Sequence, residues 1–485
     1  MNKVKIPAYI LKATEVLEKN GFESFLVGGC VRDYLLNKEP NDWDITTNAI
    51  PEKILKTFSK FKTFYENDFG TVGVVIDEKI VEITTYRKEG KYSDARHPDE
   101  VVWAKNIEED LKRRDFTINA MAMDVLHRTF IDLFDGKKDL EKELIRTVGD
   151  PEMRFKEDAL RMLRAIRFSS SLGKNFQIEE KTYKTIKKNA DWIKKISNER
   201  IRDELIKIVM CENAKKGINL MKDSGLLSYI LPELMQGDKC SQNKHHIYDV
   251  YEHNIETLNF AAKKNFNLHV RFAALFHDIA KPITKEGKGE GATFYNHEVV
   301  GAKMTKKILQ RLHFSKKDID KIVNLVRFHL FYYNVGEVTE ASIRKLIKNV
   351  GIENIDDLIN LRMADRIGSG CPKAEPYKLR HLRYLIEKVS KDPISVKMLK
   401  VNGEDIMQIL KINPGKEIGQ ILTVLLSEIL EYPKNNTKKY LKEKIILLGD
   451  LKEKELEALS KSSQESIETV IQKKDKMAKD KYWLS

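Results

Sequence analysis

The chain of 485 residues carries 41% hydrophobic and 33% charged residues, which is enough for several packed domains and excludes a wholly disordered protein. Its longest apolar runs, such as those at 72–76 and 445–448, are far shorter than the roughly 18 residues that a membrane span requires. No signal-peptide pattern opens the sequence, so we expect a cytoplasmic protein with no membrane partner.

The charge balance favours a polyanionic partner. Lysine and arginine outnumber aspartate and glutamate by 86 to 73, a net charge of +13. Nucleic acid would fit this excess, although a generally lysine-rich composition would give the same number without one. The four cysteines show no CxxC spacing, so we expect reduced thiols rather than disulfides or a zinc site.

Residues 1–140 alternate short β-branched runs with helical patterns. Strands are predicted at 25–27, 44–47, 72–76 and 81–85, and a helix over 51–61 begins at a proline. Beyond about residue 140 the strand signals vanish, and helical periodicity marks 157–168, 199–210, 251–264, 319–328 and 340–349. The fold class predicted is α+β, with an all-helical remainder.

A pair of aspartates stands where the second predicted strand begins. Alternation along a strand places Asp42 and Asp44 on one face and Trp43 on the other. Two carboxylates at an exposed strand edge suit Mg²⁺, which prefers hard oxygen ligands and serves phosphoryl or nucleotidyl transfer. Glu82, on the strand 81–85, could supply a third carboxylate, or could be an ordinary half-exposed strand acid.

A glycine pair precedes these aspartates. Gly28 and Gly29 stand before a helical segment that contains Arg32 and Asp33. Glycine there lets backbone N–H groups approach a phosphate, and Arg32 could bind that phosphate through two hydrogen bonds. Each signal alone is weak, since glycine pairs and spaced aspartates are common in turns, so the combination carries the prediction.

A second basic cluster follows at 113–119. Arg113 and Arg114 stand beside Asp115, with Asn119 four residues further on. The two guanidinium groups could bind a triphosphate while Asp115 or Asn119 meets a ribose hydroxyl. The arginine pair followed by an acid is commonplace by itself.

The segment 157–168 combines acids and arginines at helical spacing. Asp158 and Arg161 are neighbours on such a helix, and Arg161, Arg164 and Arg167 form one row. One interpretation is a surface of intrahelical salt bridges. The other is base selection: a carboxylate accepts and a guanidinium donates, which complements cytosine and adenine but not uracil or guanine.

Together these motifs resemble class II CCA-adding tRNA nucleotidyltransferases, a branch of the polymerase-beta-like superfamily that also contains bacterial poly(A) polymerases. The matching stretches are VGGCVRD with DWD (27–44), VEITTYRKEGKYSDARHP (81–98), RRDFTINA (113–120), DGKKDL (135–140), EDALRMLRAIRF (157–168) and ERIRDEL (199–205). The resemblance implies a nucleotidyltransferase head with a mixed sheet, followed by helical parts that read the base and hold the tRNA acceptor end.

The resemblance also implies roles for residues. It implies that Asp42 and Asp44 bind two Mg²⁺ ions and that the residues around them bind CTP or ATP. Gly29 and Arg32 would bind the nucleotide, Arg114 its triphosphate, and Asp158 and Arg161 its base. Arg164 and Arg167 would continue the row of arginines on the nucleotide side. Gly28, Asp33, Arg113, Asp115 and Asn119 complete the expected nucleotide site. The loop near 90–98 is associated with the switch from C to A addition, which favours complete CCA synthesis over a CC-only enzyme.

Eight of the eleven histidines lie between 245 and 329, and their order resembles the HD phosphohydrolase superfamily. The resemblance implies a divalent transition metal held by His253, His277, Asp278 and Asp365, and a possible second metal at His297 and His329. Imidazole and carboxylate together suit Mn²⁺, Fe, Ni²⁺ or Co²⁺ better than Mg²⁺ alone. Hydrolysis of a phosphoester is the implied chemistry, and a metal-free helical spacer is the alternative.

These signals predict four parts: a head at 1–140, a helical neck and body at 141–240, an HD domain at 241–370 and a tRNA-binding tail at 371–485. CCA addition to tRNA is the function predicted. Two alternatives remain: a bacterial poly(A) polymerase, and an HD phosphohydrolase whose head only binds RNA.

Overall fold

The computed structural model describes residues 4–67, 70–88, 102–242, 247–287, 291–390 and 395–484. The loop at 92–98, on which the expectation of complete CCA synthesis rested, lies outside the described residues. The chain divides into two compact units, residues 1–330 with 360–372 and residues 331–359 with 373–485. The four-part division predicted from the sequence remains a prediction. Within the described part of the chain, every helix is too short or too polar to cross a membrane.

The first unit begins with a mixed β-sheet. Its strands are β1 (Ser24–Val27), β2 (Asp44–Thr47), β3 (Lys62–Asn67), β4 (Thr71–Ile76), β5 (Lys79–Thr85), β8 (Met121–Asp124) and β9 (Thr129–Asp132). They lie in the order β3-β4-β5-β2-β1-β8-β9, and the short strands β6 (Arg87–Lys88) and β7 (Val102–Trp103) pair separately. Strand β2 runs parallel to β5, with Asp44 directly opposite Glu82.

The centre of this sheet is buried by apolar alternation along its strands. Ile45 and Ile83 are fully buried, and Trp43 packs into the same core with 7% of its surface exposed. Because Trp43 points inward, the aspartates on either side of it are left at the surface of the sheet. The helices of this region are α1 (Ala8–Lys19), α2 (Gly29–Leu35), α3 (Pro51–Thr57) and α4 (Ile107–Lys112).

Helices dominate the rest of the first unit. They are α5 (Gly136–Glu141), α6 (Pro151–Glu157), α7 (Leu160–Ser171), α8 (Glu180–Lys188), α9 (Asn198–Met210), α10 (Ala214–Asp223), α11 (Leu226–Ile230), α12 (Pro232–Met235), α13 (Val250–Lys263), α14 (Leu268–Phe276), α15 (Lys281–Thr284), α16 (His297–Arg311) and α17 (Lys316–Phe328). One small exception corrects the expected all-helical remainder: β10 (Leu144–Ile145) and β11 (Gln177–Ile178) form a parallel pair.

The second unit is helical where the structure describes it. It contains α18 (Glu340–Val350), α20 (Tyr377–Ser390), α21 (Gly403–Leu410), α22 (Lys416–Glu431), α23 (Lys438–Gly449) and α24 (Glu453–Lys481), while α19 (Ile355–Gly368) begins in this unit and ends in the first. Its core is built from leucine and isoleucine side chains such as Ile406, Leu425 and Leu441.

The helix predicted over 157–168 is interrupted at its second residue. Helix α6 ends at Glu157, Asp158 adopts an extended conformation (φ −149°, ψ 104°), and α7 begins at Leu160. The Asp158 carboxylate accepts a hydrogen bond from the Leu160 backbone N–H at 3.1 Å, so it competes with the helix for a backbone donor. The predicted helix at 51–61 is also too long, since α3 ends at Thr57.

Candidate active sites

The two aspartates of the first motif lie at one end of the central strands. Asp44 is the first residue of β2, and the more exposed Asp42 precedes the strand. Burial raises the pKa of the Asp44 carboxyl above its ordinary value; the charge of Arg114 offsets part of this rise, and the charge of Asp42 adds to it. Two neighbouring carboxylates are a donor set that fits Mg²⁺.

Gly28 allows Arg114 to approach this carboxylate pair. The Gly28 backbone has φ +77°, a region that disfavours side chains, and a Cβ there would lie 2.9 Å from Nη1 of Arg114 and 3.9 Å from Oδ2 of Asp44. The positive φ therefore favours glycine at this position, and a side chain there would also displace the Arg114 guanidinium.

Asp110 holds both arginines of the 113–114 pair. This fully buried residue of α4 accepts from Nε and Nη2 of Arg113 at 2.9 and 2.8 Å through Oδ1, and from Nη2 of Arg114 at 3.2 Å through Oδ2. Burial would raise the pKa of Asp110, but the charges of Arg114 and Arg113 outweigh it and leave the pKa lowered. Asp110 is thus ionised, and it orients Arg114 toward the aspartate pair.

A hydrogen-bonded chain links α2 to the residues after α4. Arg32 donates to Asn119 Oδ1 at 2.7 Å and forms an ion pair with Asp33 at 2.8 Å. Asn119 donates in turn to Asp115 Oδ1 at 3.1 Å. The remaining oxygen of Asp115 accepts from Nε and Nη2 of Arg164 at 2.8 and 2.6 Å. Burial would raise the Asp115 pKa, but Arg164 and Asn119 lower it to about 2.

Helix α9 supplies the other partners of the arginine row on α7. Glu204, with 3% of its surface exposed, lies 2.7 Å from Nε of Arg167 and 3.9 Å from Nη1 of Arg164. Arg164 and Arg167 line a cleft of about 390 Å³. Its lining combines the glycine pair, the aspartate pair and the basic residues: Gly28, Gly29, Arg32, Asp42, Asp44, Arg114, Asp115, Asn119, Arg164, Arg167 and Phe168.

The expected base-reading pair is held apart from this lining. Asp158 accepts from Arg200 of α9 at 2.7 and 3.3 Å. Arg161 is 8% exposed and donates to Glu157 Oε2 at 2.5 Å and to the Arg113 carbonyl at 3.4 Å. Neither residue is among those that line the cleft, and their role in base choice remains a prediction.

A second site lies among the helices from α13 to α19. Two groups of three buried residues each bring their ligand atoms within 4.8 Å of one another: His253, His277 and Asp365 in one, and Asp278, His297 and His329 in the other. Asp278 joins the groups, because Oδ2 lies 3.2 Å from Nε2 of His253 and Oδ1 lies 3.3 Å from Nε2 of His297.

Backbone carbonyls fix the histidine rings. Nδ1 of His277, His297 and His329 lies 2.7–2.9 Å from the carbonyl oxygen three residues earlier in each case. A carbonyl can only accept, so each Nδ1 carries a hydrogen, and in the neutral ring Nε2 then offers a lone pair to a metal ion. Nε2 of His253 and of His277 are only 2.9 Å apart. Such converging lone pairs and carboxylates fit one or two divalent cations.

Two cations of the chain already contact the carboxylates of this second site. Lys281 Nζ lies 2.6 Å from Oδ2 of Asp278, and Arg362 lies 2.7 Å from Oδ2 of Asp365. In Asp365 the other oxygen, Oδ1, faces His253 at 3.4 Å, whereas in Asp278 both oxygens face histidines. Both carboxylates are thus held by a cation of the chain while still directing oxygen into the site.

Comparison with known proteins identifies family models that match three stretches of the chain. Residues 24–146 match the family model described as the Poly A polymerase head domain, 175–237 match a probable RNA and SrmB-binding site of polymerase A, and 250–361 match the HD domain. The CCA-adding enzyme of Ligilactobacillus salivarius is 37% identical over 452 residues, which cover 91% of this chain and 99% of that protein. This chain belongs to the CCA-adding enzyme family.

Other members of the CCA-adding family are similar over different lengths. The enzyme of Lactobacillus helveticus is 49% identical over 226 residues, but that alignment covers 46% of this chain and 55% of the relative. The solved structure of the Bacillus stearothermophilus CCA-adding enzyme in complex with CTP superposes with a TM-score of 0.61 at 26% identity, covering 90% of this chain and 96% of that one. The resemblance drawn from the motifs, including the HD domain, is thereby confirmed.

Sequence reasoning missed several groups of this CCA-adding family member. Asp110, Arg200 and Glu204 were not predicted as site residues, although each holds one of the predicted arginines or acids. Arg200 and Glu204 lie in the motif 199–205, where their spacing of four marks one helical face. Glu82 remains a predicted third carboxylate; it stands beside Asp44 in the sheet but is not part of the cleft lining.

Proposed function

We propose that this chain adds CCA to tRNA 3′ ends from CTP and ATP without a template. The observation that carries the proposal is the cleft that brings Asp42 and Asp44 together with eight nucleotide-binding candidates from three separate motifs. The CTP complex of the Bacillus stearothermophilus relative supports the nucleotide, and the family match of 175–237 to an RNA-binding model supports the RNA.

Asp42 and Asp44 would hold Mg²⁺, which when bound supplies activation of the RNA 3′-hydroxyl and neutralisation of the departing pyrophosphate. Arg114 is oriented by Asp110 toward the phosphates of the nucleotide. Arg32 and Asn119 form a rigid pair at 2.7 Å that can bind phosphate and ribose oxygens.

The charge of the cleft makes nucleotide binding depend on Mg²⁺. Each arginine of the cleft is paired with a carboxylate, and the aspartate pair adds two further negative charges. The side chains therefore provide no positive excess for a triphosphate, and the arginines contribute direction rather than net charge. We expect CTP to bind weakly without a divalent cation.

Separate incubation with each nucleotide tests this function. A tRNA transcript that lacks CCA should gain two C residues from CTP alone and CCA from CTP with ATP, and nothing from UTP or GTP. Long A tails from ATP alone would indicate a poly(A) polymerase, and extension that stops at CC would indicate partial addition. Asp42→Ala should abolish incorporation, whereas Asp77→Asn, an exposed acid paired with Lys12, is the matched control. Full incorporation by Asp42→Ala would remove Asp42 from the catalytic site, and a wild type that hydrolyses phosphoesters but incorporates no nucleotide would favour a head that only binds RNA.

We also infer that the HD site hydrolyses phosphoesters with a transition metal. The two converging ligand groups joined by Asp278 support this activity. Bis(p-nitrophenyl) phosphate with Mn²⁺, Ni²⁺ or Co²⁺ is a suitable probe. Hydrolysis should disappear with EDTA and in His277→Ala/Asp278→Ala, but persist in His269→Ala, whose ring pairs with Asp318 outside the site. Absence of metal-stimulated hydrolysis in the wild type would favour the spacer alternative.

A further inference from the structure

One aromatic ring on α7 contacts three arginines of the nucleotide cleft. The guanidinium carbons of Arg167, Arg32 and Arg164 lie 4.1, 5.1 and 5.4 Å from the centroid of the Phe168 ring. The ring is only 4% exposed, yet it contributes to the cleft lining. The sequence suggests no more than apolar packing for this residue.

The three arginines are held by carboxylates from different parts of the chain. Arg32 pairs at 2.8 Å with Asp33, its neighbour on α2. Arg164 of α7 pairs at 2.6 Å with Asp115, which lies after α4, and Arg167 of α7 pairs at 2.7 Å with Glu204 of α9. No two of these arginines share their closest acid. Among the described contacts, the Phe168 ring is therefore what all three have in common.

Three guanidinium groups this close together repel one another. Burial lowers the pKa of Arg167, Glu204 offsets part of this effect, and the charges of Arg164 and Arg32 lower the pKa further. The negative face of an aromatic ring attracts cations without consuming their hydrogen-bond donors. A guanidinium stacked on a ring keeps its edge N–H groups available for phosphate oxygens.

We propose that Phe168 is a positioning residue, which holds the guanidinium groups of Arg32, Arg164 and Arg167 as one surface for the triphosphate of the incoming nucleotide. This inference rests on the proposed nucleotidyltransferase function. Phe168 would act through the arginines and would not read the base.

Ordinary core packing is the competing explanation, and Phe116 provides its control. The Phe116 ring is fully buried and meets Phe168 edge to face, with centroids 5.6 Å apart and planes at 81°. The described contacts include no arginine stacked on Phe116. Phe116→Leu therefore removes a ring from the same apolar cluster but leaves the three guanidinium contacts in place.

The experiment compares Phe168→Leu, Phe168→Tyr and Phe116→Leu with the wild type, all with Mg²⁺. Its readouts are KM and kcat for CTP, competitive inhibition by pyrophosphate, inhibition by cytidine, and the melting temperature. Phe168→Leu should raise KM for CTP and the inhibition constant of pyrophosphate by about tenfold, as expected for lost cation–π contacts. Cytidine inhibition should change less than twofold, and kcat should fall less than KM rises.

Phe168→Tyr keeps the ring and should restore pyrophosphate affinity to near the wild-type value, even if its melting temperature falls. Phe116→Leu should lower the melting temperature and leave pyrophosphate affinity unchanged. Equal loss of pyrophosphate affinity in the two leucine variants, or unchanged affinity in Phe168→Leu, would overturn the role of Phe168. A wild type that incorporates no CTP would instead overturn the proposed function itself.

Discussion

The carboxylate of Asp158 is held by the guanidinium of Arg200, with N–O distances of 2.7 and 3.3 Å. Arg200 belongs to α9, and Asp158 lies between α6 and α7, so the contact joins segments 42 residues apart in the chain. The same helix holds Arg167 through Glu204. Helix α9 thus fixes both the predicted base-reading acid and one of the arginines that face the cleft.

We expect Asp158→Ala and Arg161→Ala to relax base choice more than they slow incorporation. The carboxylate and the guanidinium are expected to match the hydrogen-bond pattern of cytosine and adenine. Without them, kcat/KM for UTP should rise by roughly tenfold or more relative to kcat/KM for CTP. The measurement is kcat/KM for UTP relative to CTP on a tRNA transcript that lacks CCA. Equal slowing with all four nucleotides and unchanged selectivity would count against this role.

Arg200→Gln should reproduce part of the Asp158→Ala phenotype, because Asp158 then loses the group that orients it. The effect should again be on the UTP-to-CTP ratio. Arg202→Gln is the matched control, since Arg202 lies on the same helix but pairs with Asp203. The idea fails if Arg202→Gln alters selectivity as much as Arg200→Gln does.

Asp44→Asn should abolish incorporation without lowering the melting temperature. An acid whose pKa is raised by folding destabilises the folded state once it is ionised at neutral pH, so the neutral amide removes an unfavourable charge. Activity should fall by at least about 10³-fold because the metal site is lost. Thermal unfolding at pH 7 without divalent cations checks the stability. A clear decrease in melting temperature would show that the carboxylate has a structural role.

A transition metal should stabilise the chain through the HD site. Any ligand that binds only the folded state raises the melting temperature, by an amount that grows with its concentration. Mn²⁺ or Ni²⁺ should therefore raise the melting temperature of the wild type and of Asp42→Ala/Asp44→Ala, but not that of His277→Ala/Asp278→Ala. The last variant should still incorporate CTP. A shift that follows the head aspartates instead would place the bound metal at the other site.

Asp115 should make the chain sensitive to acid. Its pKa is about 2 in the folded state, below the ordinary value of 3.8, so its stabilising contribution is complete above pH 3.8 and is lost as the pH falls toward 2. The shift corresponds to about 2 kcal/mol. Asp115→Asn should melt below the wild type at pH 7, and this difference should narrow below pH 4. A constant difference from pH 7 to pH 3 would contradict the expected ionisation.

Much of the head could be predicted from sequence because its strands carry β-branched runs and its motifs are short and local. Strands β1, β2, β4 and β5 lie where the sequence predicts them. Strand β3, beginning at Lys62, was missed because its alternation of lysine, threonine and aromatic residues gives no continuous apolar run. The break at Asp158 was missed because its cause, a hydrogen bond from the Leu160 backbone N–H to the Asp158 side chain, is a local conformational choice that periodicity does not show.

The residue types of both sites could be predicted, but their partners could not. That Arg200 and Glu204 hold predicted residues depends on tertiary contacts, which spacing along one helix does not reveal. Asp110 differs, because it lies three and four residues before Arg113 and Arg114, a helical spacing that is visible in the sequence. In the HD site the order of histidines and aspartates indicates the ligands. The carbonyl that fixes each Nδ1, and the placement of Asp278 between the two groups, depend on how the helix ends meet.

A crystal structure with CTP and Mg²⁺ tests the central claim most directly. The account predicts the triphosphate between the Asp42–Asp44 pair and the arginine surface around Phe168, with Mg²⁺ bound to the aspartates. CTP bound elsewhere on the chain, or bound in the cleft with its phosphates directed away from Asp42 and Asp44, would contradict it.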